Sequence, residues 1–250
     1  MSELQPNVII PAFWKNDDLI TAAFSTMKPV NVEYGYTSDF SLANTDTRHD
    51  HFVEYNREQW LNALGLSNKP LCIGKQVHSN QVNIATDSTY QQNTDGLITT
   101  NTNLALGIFV ADCAAVLIAD KENKVIAAIH AGWRGAINGI IRVAITKMTT
   151  VGADVRLIKA FVSPCISQTA FEVGYEVAEM FPQDFVDYKT YSKPHIDLRK
   201  FLTQELIEAG LKKQNIESHQ ACTFTESDRF HSYRRDKEKS GRMMAIISMK

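Results

Sequence analysis

Residues 104–119 (LALGIFVADCAAVLIA) are apolar almost throughout, and a second apolar stretch, residues 124–130, follows the polar Asp120-Lys121-Glu122-Asn123. Two β-rich runs separated by a short polar turn predict a buried hairpin. The first run is too short to span a bilayer and carries Asp112, which excludes a membrane helix. Residues 135–150 follow another rule: Ile137, Ile140, Ile141, Ala144, Ile145 and Met148 fall at steps of three and four, the spacing of a helix face. Residues 50–64 repeat it with Phe52, Val53, Trp60, Leu61 and Leu64. Shorter strands are expected at 71–77, 97–99, 158–162, 218–223 and 243–248, with an extended stretch at 81–85. Helices are expected at 172–181 and 198–209. Residues 34–50 are rich in Ser, Thr, Asn and Asp and predict a long surface loop.

Helices and strands alternate, but the hairpin excludes an all-parallel sheet. The expected class is α/β, a mixed β-sheet flanked by helices. No repeat, low-complexity tract or Pro/Gly/Ser-rich linker divides the chain, so residues 1–250 read as a single catalytic domain. The chain's 250 residues suffice to bury a sizeable core, and 44% hydrophobic with 22% charged residues is a globular composition. A net charge of −2 gives no basic excess for nucleic acid or an anionic membrane. The start, MSELQPNVII, has no signal-peptide pattern, so a cytoplasmic location is expected. There the four cysteines stay reduced, and Cys165 and Cys222, at strand ends, read as core.

Cys113 and His130 carry the candidate chemistry. If Asp120 and Asn123 face each other across the turn, Cys113 faces His130 on the same side of the hairpin. Opposed Cβ atoms lie roughly 4.5–5.5 Å apart, a span that one zinc ion bridges through sulfur and imidazole nitrogen. His78, which follows a strand into a polar turn, is the best third ligand. Two histidines and one cysteine leave a fourth position open, the pattern of catalytic zinc. Against this, a lone cysteine in an apolar strand is more often a small core residue, and a lone histidine at a strand end more often structural. Joint placement beside charged and glycine-rich turns favours the metal reading.

His130-Ala131-Gly132-Trp133-Arg134-Gly135 runs from a strand into a helix. Glycines permit a close backbone approach, and Arg134 adds a positive charge suited to phosphate. The alternative is an ordinary strand-to-helix turn with a surface arginine. The stretch is neither a P-loop nor a dinucleotide fingerprint. Residues 232–242 are locally basic and could hold an anion or form a solvated loop; at least one of their arginines is expected to be structural.

KQVHSNQV (75–82), TDGLIT (94–99), ADCAAVLIAD (111–120), HAGWRGAINGII (130–141), SPCIS (163–167), FEVGYEV (171–177) and SYRRDKEKSGRM (232–243) resemble the successive motifs of the YfiH-type family, known first as polyphenol oxidoreductase laccases and later as purine nucleoside phosphorylases. The resemblance covers about residues 40–250. It implies one α/β domain, with a zinc held by His78, Cys113 and His130. It also implies phosphorolysis of adenosine and inosine, and of methylthioadenosine, with adenosine deamination as a further activity. Phosphate is then the co-substrate, and copper the metal of the older assignment. Gln76, Asn44, Arg57 and Arg134 are the expected substrate contacts. Asp112 is the expected proton carrier or ligand-orienting group beside Cys113, His130 and His78. The expected partners are small molecules, with the chain a monomer or weak dimer. Residues 24–45 depart from the family in lacking its Gly-Gly pair and arginine, and SPCIS replaces the usual Gly-Pro.

Two rival functions follow from the same residues. Cys113 as nucleophile with His130 as base would make a cysteine hydrolase or deamidase, and the expected sheet resembles that of toxin deamidases using such a pair. The altered 24–45 stretch motivates a non-catalytic factor in cell-wall quality control. A laccase needs a type-1 copper site plus a histidine-rich cluster, for which seven histidines are too few.

Overall fold

The computed structural model describes residues 7–30, 40–44, 52–87 and 89–250. Among them the mixed α/β class holds, with the strands divided between two large sheets and a two-stranded ribbon. The first sheet has the order β1 (Val8–Ile9), β2 (Ile20–Ser25), β13 (Met243–Met249), β6 (Ala105–Val110), β3 (Leu71–Cys72), antiparallel except for the β6/β3 pair. The second has the order β12 (Ile216–Ser218), β9 (Lys159–Val162), β7 (Ala114–Asp120), β8 (Val125–Ala131), β5 (Gly96–Thr99), β4 (Val82–Ile84). Its two edge pairs are parallel and the rest antiparallel. β10 (Val186–Asp187) and β11 (His195–Ile196) form the ribbon.

The uninterrupted apolar runs have a simple cause: the central strands are buried on both faces. Leu106, Ile108, Phe24, Ala245 and Ile247 of the first sheet meet Ala115, Leu117, Ile126, Ala128 and Phe161 of the second. Their neighbours Val116, Ile118, Ala127 and Ile129 point the other way, onto Ile140, Ile141, Ala144, Ile145 and Met148 of α3 (Ile140–Thr150). α2 (Trp133–Ile137) and α5 (Leu198–Glu208) cover the same face. Ala23, Ala105, Met244 and Ile246 form the outer face of the first sheet, under Trp60 of α1 (Val53–Ala63) and Leu42. The molecule is thus layered helix, sheet, sheet, helix, with two short helices, α4 (Tyr175–Ala178) and α6 (Tyr233–Asp236), at its margin. No helix among the described residues is long and apolar enough to cross a membrane.

Several expected elements change. The run 104–119 is two strands in different sheets: β6 and β7 are separated by Ala111-Asp112-Cys113, where Asp112 takes a left-handed φ of 80°. The helix expected over 135–150 divides at Gly139, whose φ of 74° ends α2 and starts α3 in a new direction. Of the helix expected at 172–181 only α4 forms, because Glu172 bridges His195 and Gly174 is extended. The strand expected at 71–77 shrinks to β3, that expected at 218–223 lies earlier in the chain as β12 and shares only Ser218 with it, and single bridges at Gly74 and Cys222 follow them. β1 and β2 were not expected. Most of the loop expected over 34–50 lies outside the described residues; Phe40, Leu42 and Ala43 within it are buried rather than at the surface.

The hairpin register also moves. Asp120 pairs with Val125, and Lys121–Lys124 form the turn, with Lys124 at a φ of 55°. Asp120 caps that turn by accepting from the Asn123 N–H at 3.1 Å and its side-chain amide at 2.7 Å. His130 therefore faces Ala115, and Cys113 lies just beyond the ladder, opposite Gly132. The shift is of two residues, so Cys113 and His130 stay on one face as diagonal neighbours.

Candidate metal centre and its cavity

The start of β7, the ends of β6 and β8 and the start of β13 gather at one end of the sandwich. Gly132 opposite Cys113 makes room there. A Cβ on Gly132 would lie 2.9 Å from Cys113 Sγ and 3.1 Å from His78 Cδ2. His78 enters from the loop before β4 with a φ of 59°. Its ring meets that of His130 edge-on, centroids 4.8 Å apart. The ligand atoms of His78, Cys113 and His130 all lie within 4.8 Å of one another, the sole such group among the described residues. Zn–S and Zn–N bonds of about 2.3 and 2.0–2.1 Å fit a donor set of this size and chemistry.

A residue that the sequence did not single out organises this group. Asp95, fully buried, precedes β5, and its carbonyl accepts the His130 N–H at 2.7 Å. Its carboxylate lies 2.8 Å from His130 Nδ1 and accepts from the His78 N–H at 2.9 Å and from the Ser79 N–H and hydroxyl at 2.7 Å each. One side chain thus fixes both the His130 ring and the turn carrying His78. With Nδ1 donating to Asp95, Nε2 of His130 is the nitrogen left for a metal. The only sequence signal for Asp95 was its place in TDGLIT, which equally fits a turn.

Charge at the centre is set by neighbours rather than by burial. Burial pushes the Cys113 thiol up, but the His130 imidazolium, with a further contribution from His78, outweighs it and brings the thiol down to about 6. Burial pushes His130 down, and Cys113 and Asp95 together reverse this, raising it to about 9. Asp95 resists its own burial through His130 and Ser79 and sits at about 2. Cys113 is held as the thiolate that a metal or an electrophile needs.

The centre opens into a cavity of about 1100 Å³, and all eight residues singled out in the sequence line it: Asn44, Arg57, Gln76, His78, Asp112, Cys113, His130 and Arg134. Gln76 pairs with the main chain of Phe109, accepting its N–H at 2.8 Å and donating to its carbonyl at 2.7 Å. Arg57 donates to the Leu42 carbonyl at 2.6 Å and stacks 5.0 Å above the Phe109 ring. Arg134 lies 4.4 Å above Trp133. Asp112 presents its carboxylate to Thr223, Ser232 and the main chain of Arg234.

The basic C-terminal stretch divides by role. Arg235 is internal, donating to the carbonyls of Thr223, Phe224 and Phe230. Arg234 and Arg242 line the cavity, stacked 5.6 Å from Phe171 and 5.7 Å from Tyr233. Four arginine–aromatic pairs therefore surround the centre, offering both cations and flat apolar faces. Cys165 and Cys222 are buried, as expected of core residues.

The family model described as multi-copper polyphenol oxidoreductase laccase matches residues 22–250. A purine nucleoside phosphorylase of Corynebacterium glutamicum is 34% identical over 206 residues, 78% of this chain and 80% of its own. The adenosine deaminase RL5, from an unknown prokaryotic organism, is 32% identical over 204 residues, 75% of this chain and 78% of its own. Among solved structures, the Bacillus licheniformis hypothetical protein YfiH superposes with a TM-score of 0.88 at 25% identity, covering 98% of this chain and 97% of that one. The family model's description speaks of several coppers, whereas the described residues here gather one three-ligand group. The extent of these matches and the shared fold establish that the chain belongs to the YfiH-type family, the one described as multi-copper polyphenol oxidoreductase laccase.

Proposed function

We propose that the protein is a zinc-dependent purine nucleoside phosphorylase acting on adenosine, inosine and methylthioadenosine, with adenosine deamination as a second activity. The observation that carries this reading is the convergence of His78, Cys113 and His130 in a cavity walled by stacked arginines and aromatic rings. The two relatives named for purine nucleoside phosphorolysis and adenosine deamination support the substrate class.

Two imidazoles and a thiolate suit zinc, which when bound supplies Lewis acidity and a water of lowered pKa. Asp95 holds the His130 ring so that only Nε2 faces the ligand group. Arg134 and Arg234 supply positive charge for phosphate, and the rings of Phe109, Trp133 and Phe171 supply flat surfaces for a purine. In phosphorolysis a phosphate oxygen bonds to the anomeric carbon as the C–N glycosidic bond breaks. The bonding pair leaves with the base, which takes up a proton. In deamination the oxygen of water replaces the amino group of adenosine, and ammonia leaves.

The test is to incubate purified protein of measured zinc content with adenosine, with and without phosphate. Adenine and ribose 1-phosphate should form only with phosphate, and inosine in both mixtures. No product in either mixture would overturn the reading.

One observation favours a second reading, a cysteine hydrolase. Cys113, His130 and Asp95 form the sequence nucleophile, base, orienting carboxylate. Iodoacetamide labelling of Cys113 in protein as purified would favour it, because a metal-bound thiolate is shielded from alkylation.

A further inference from the structure

We infer that Asp112 is a positioning residue: it ties the cationic wall around Arg234, where phosphate binds, to the strand end that carries Cys113. This rests on the phosphorylase reading and assigns the phosphate site within it.

Asp112 is held from all sides. Its carbonyl accepts the Ile166 N–H at 2.9 Å. Oδ1 accepts the Thr223 hydroxyl at 2.7 Å; Oδ2 accepts the Ser232 hydroxyl at 3.0 Å and the Arg234 N–H at 2.6 Å. The three carboxylate donors lie 111 to 122 residues away in sequence, in the segment that leads into α6 and in the first turn of α6 itself. α6 and the stretch that follows it deliver Tyr233, Arg234, Lys237 and Arg242 to the cavity. Asp112 is thus the polar joint between Cys113 and the C-terminal cations.

Arg234 is fixed at two points. Its main-chain N–H is bound by Asp112, and its guanidinium donates to the Glu172 carbonyl at 2.8 Å while lying against Phe171. A guanidinium so restrained loses little further freedom on meeting an anion. Both oxygens of Asp112 are taken up by donors that hold the cationic segment, an arrangement suited to positioning.

The φ of 80° narrows the choice of residue. Aspartate and asparagine tolerate left-handed backbone better than other side chains. Asparagine can also keep the geometry: its oxygen can accept from Ser232 and Arg234, and its amide can donate to the Thr223 hydroxyl. Alanine can do neither.

The experiment measures inorganic phosphate binding by calorimetry on zinc-loaded Asp112→Asn, Asp112→Ala and Thr223→Val, beside phosphorolysis kinetics and zinc content. Loss of charge-assisted hydrogen bonds should weaken phosphate binding by about tenfold or more in Asp112→Ala. Asp112→Asn should recover most of that affinity, zinc content should hold, and the phosphate KM should rise more than kcat falls. Thr223→Val leaves the carboxylate in place and removes one of its anchors. It should weaken phosphate severalfold, and it serves where Asp112→Ala does not fold. Unchanged phosphate affinity in Thr223→Val and Asp112→Ala overturns the inference. So does an equal collapse of kcat in Asn and Ala with phosphate binding intact, which marks proton transfer. Phosphate binding is read without turnover, so a wild type that binds phosphate yet leaves adenosine intact sinks the phosphorylase reading alone.

Discussion

Cys113 and Cys165 stand at the same end of neighbouring antiparallel strands, one just before β7 and the other just after β9. Neither has a cysteine close by in the chain. Their chemistry is opposite. Burial drives the Cys165 thiol up to about 12, and Arg199 only partly offsets it. At Cys113 burial acts in the same direction, but His130 and His78 overcome it and the thiol falls to about 6. Burial sets what a thiol would do alone, and the groups within hydrogen-bond reach decide what it does. The two sites differ because Cys113 looks through the gap at Gly132 onto two imidazoles, whereas Cys165 packs into the core beneath the helices.

Alanine at each cysteine gives the largest contrast. Cys113→Ala should lose bound zinc, and with it several kcal/mol of charge stabilisation, roughly a thousandfold in turnover. Cys165→Ala should keep its zinc and its turnover and lose about 1–2 kcal/mol of stability, the ordinary cost of a small core deletion. Elemental analysis, turnover and denaturant unfolding of both variants measure this. Equal metal loss in the two would erase the distinction.

Asp95→Asn tests what makes one end of the sheet a ligand site. An amide has a single oxygen to accept with, so the bonds to His130 and to the Ser79 turn compete for it. Zinc affinity, measured by chelator competition, should fall about 10–100-fold, the usual cost of losing an orienting group behind a metal-binding histidine. Unchanged affinity would mean that the ligand group holds its shape without Asp95.

The legible part of this site was the part set by alternation and by local chemistry. The face shared by Cys113 and His130 survives the error in register because the turn lengthened by two residues, which preserves the parity of the strand. His78 was visible as a histidine in a polar turn, and Arg134 as a cation after glycines. Asp95 was hidden because its partners lie 16, 17 and 35 residues away, and nothing in TDG separates a carboxylate that binds a buried histidine from one that closes a turn. The two-sheet architecture was hidden for a related reason. β6 and β7 form one apolar run whose strands part at Asp112. A continuous hydrophobic pattern reports burial on both faces and carries no mark of which sheet each half joins.

The mildest perturbation, with no residue replaced, is the titration of the two thiols in metal-free protein, and it addresses the comparison most directly. The Cys113 pKa is depressed from an ordinary 9.0 to about 6, so its contribution to stability is full above 9.0 and is lost as pH falls through 6. The His130 pKa is raised from 6.5 to about 9, so its contribution is full below 6.5 and is lost as pH rises through 9. Both describe one thiolate–imidazolium pair, so the metal-free centre is most stabilised between about 6 and 9. Iodoacetamide reacts with thiolate. The rate at Cys113, followed by peptide mass mapping, should rise as pH increases through about 6 and level off, while Cys165 should stay unlabelled well above that range. Zinc should suppress the labelling of Cys113 and leave Cys165 as it was. A midpoint near 9 at Cys113 would show that the imidazoles do not govern its charge, and the two cysteines would then differ in exposure alone.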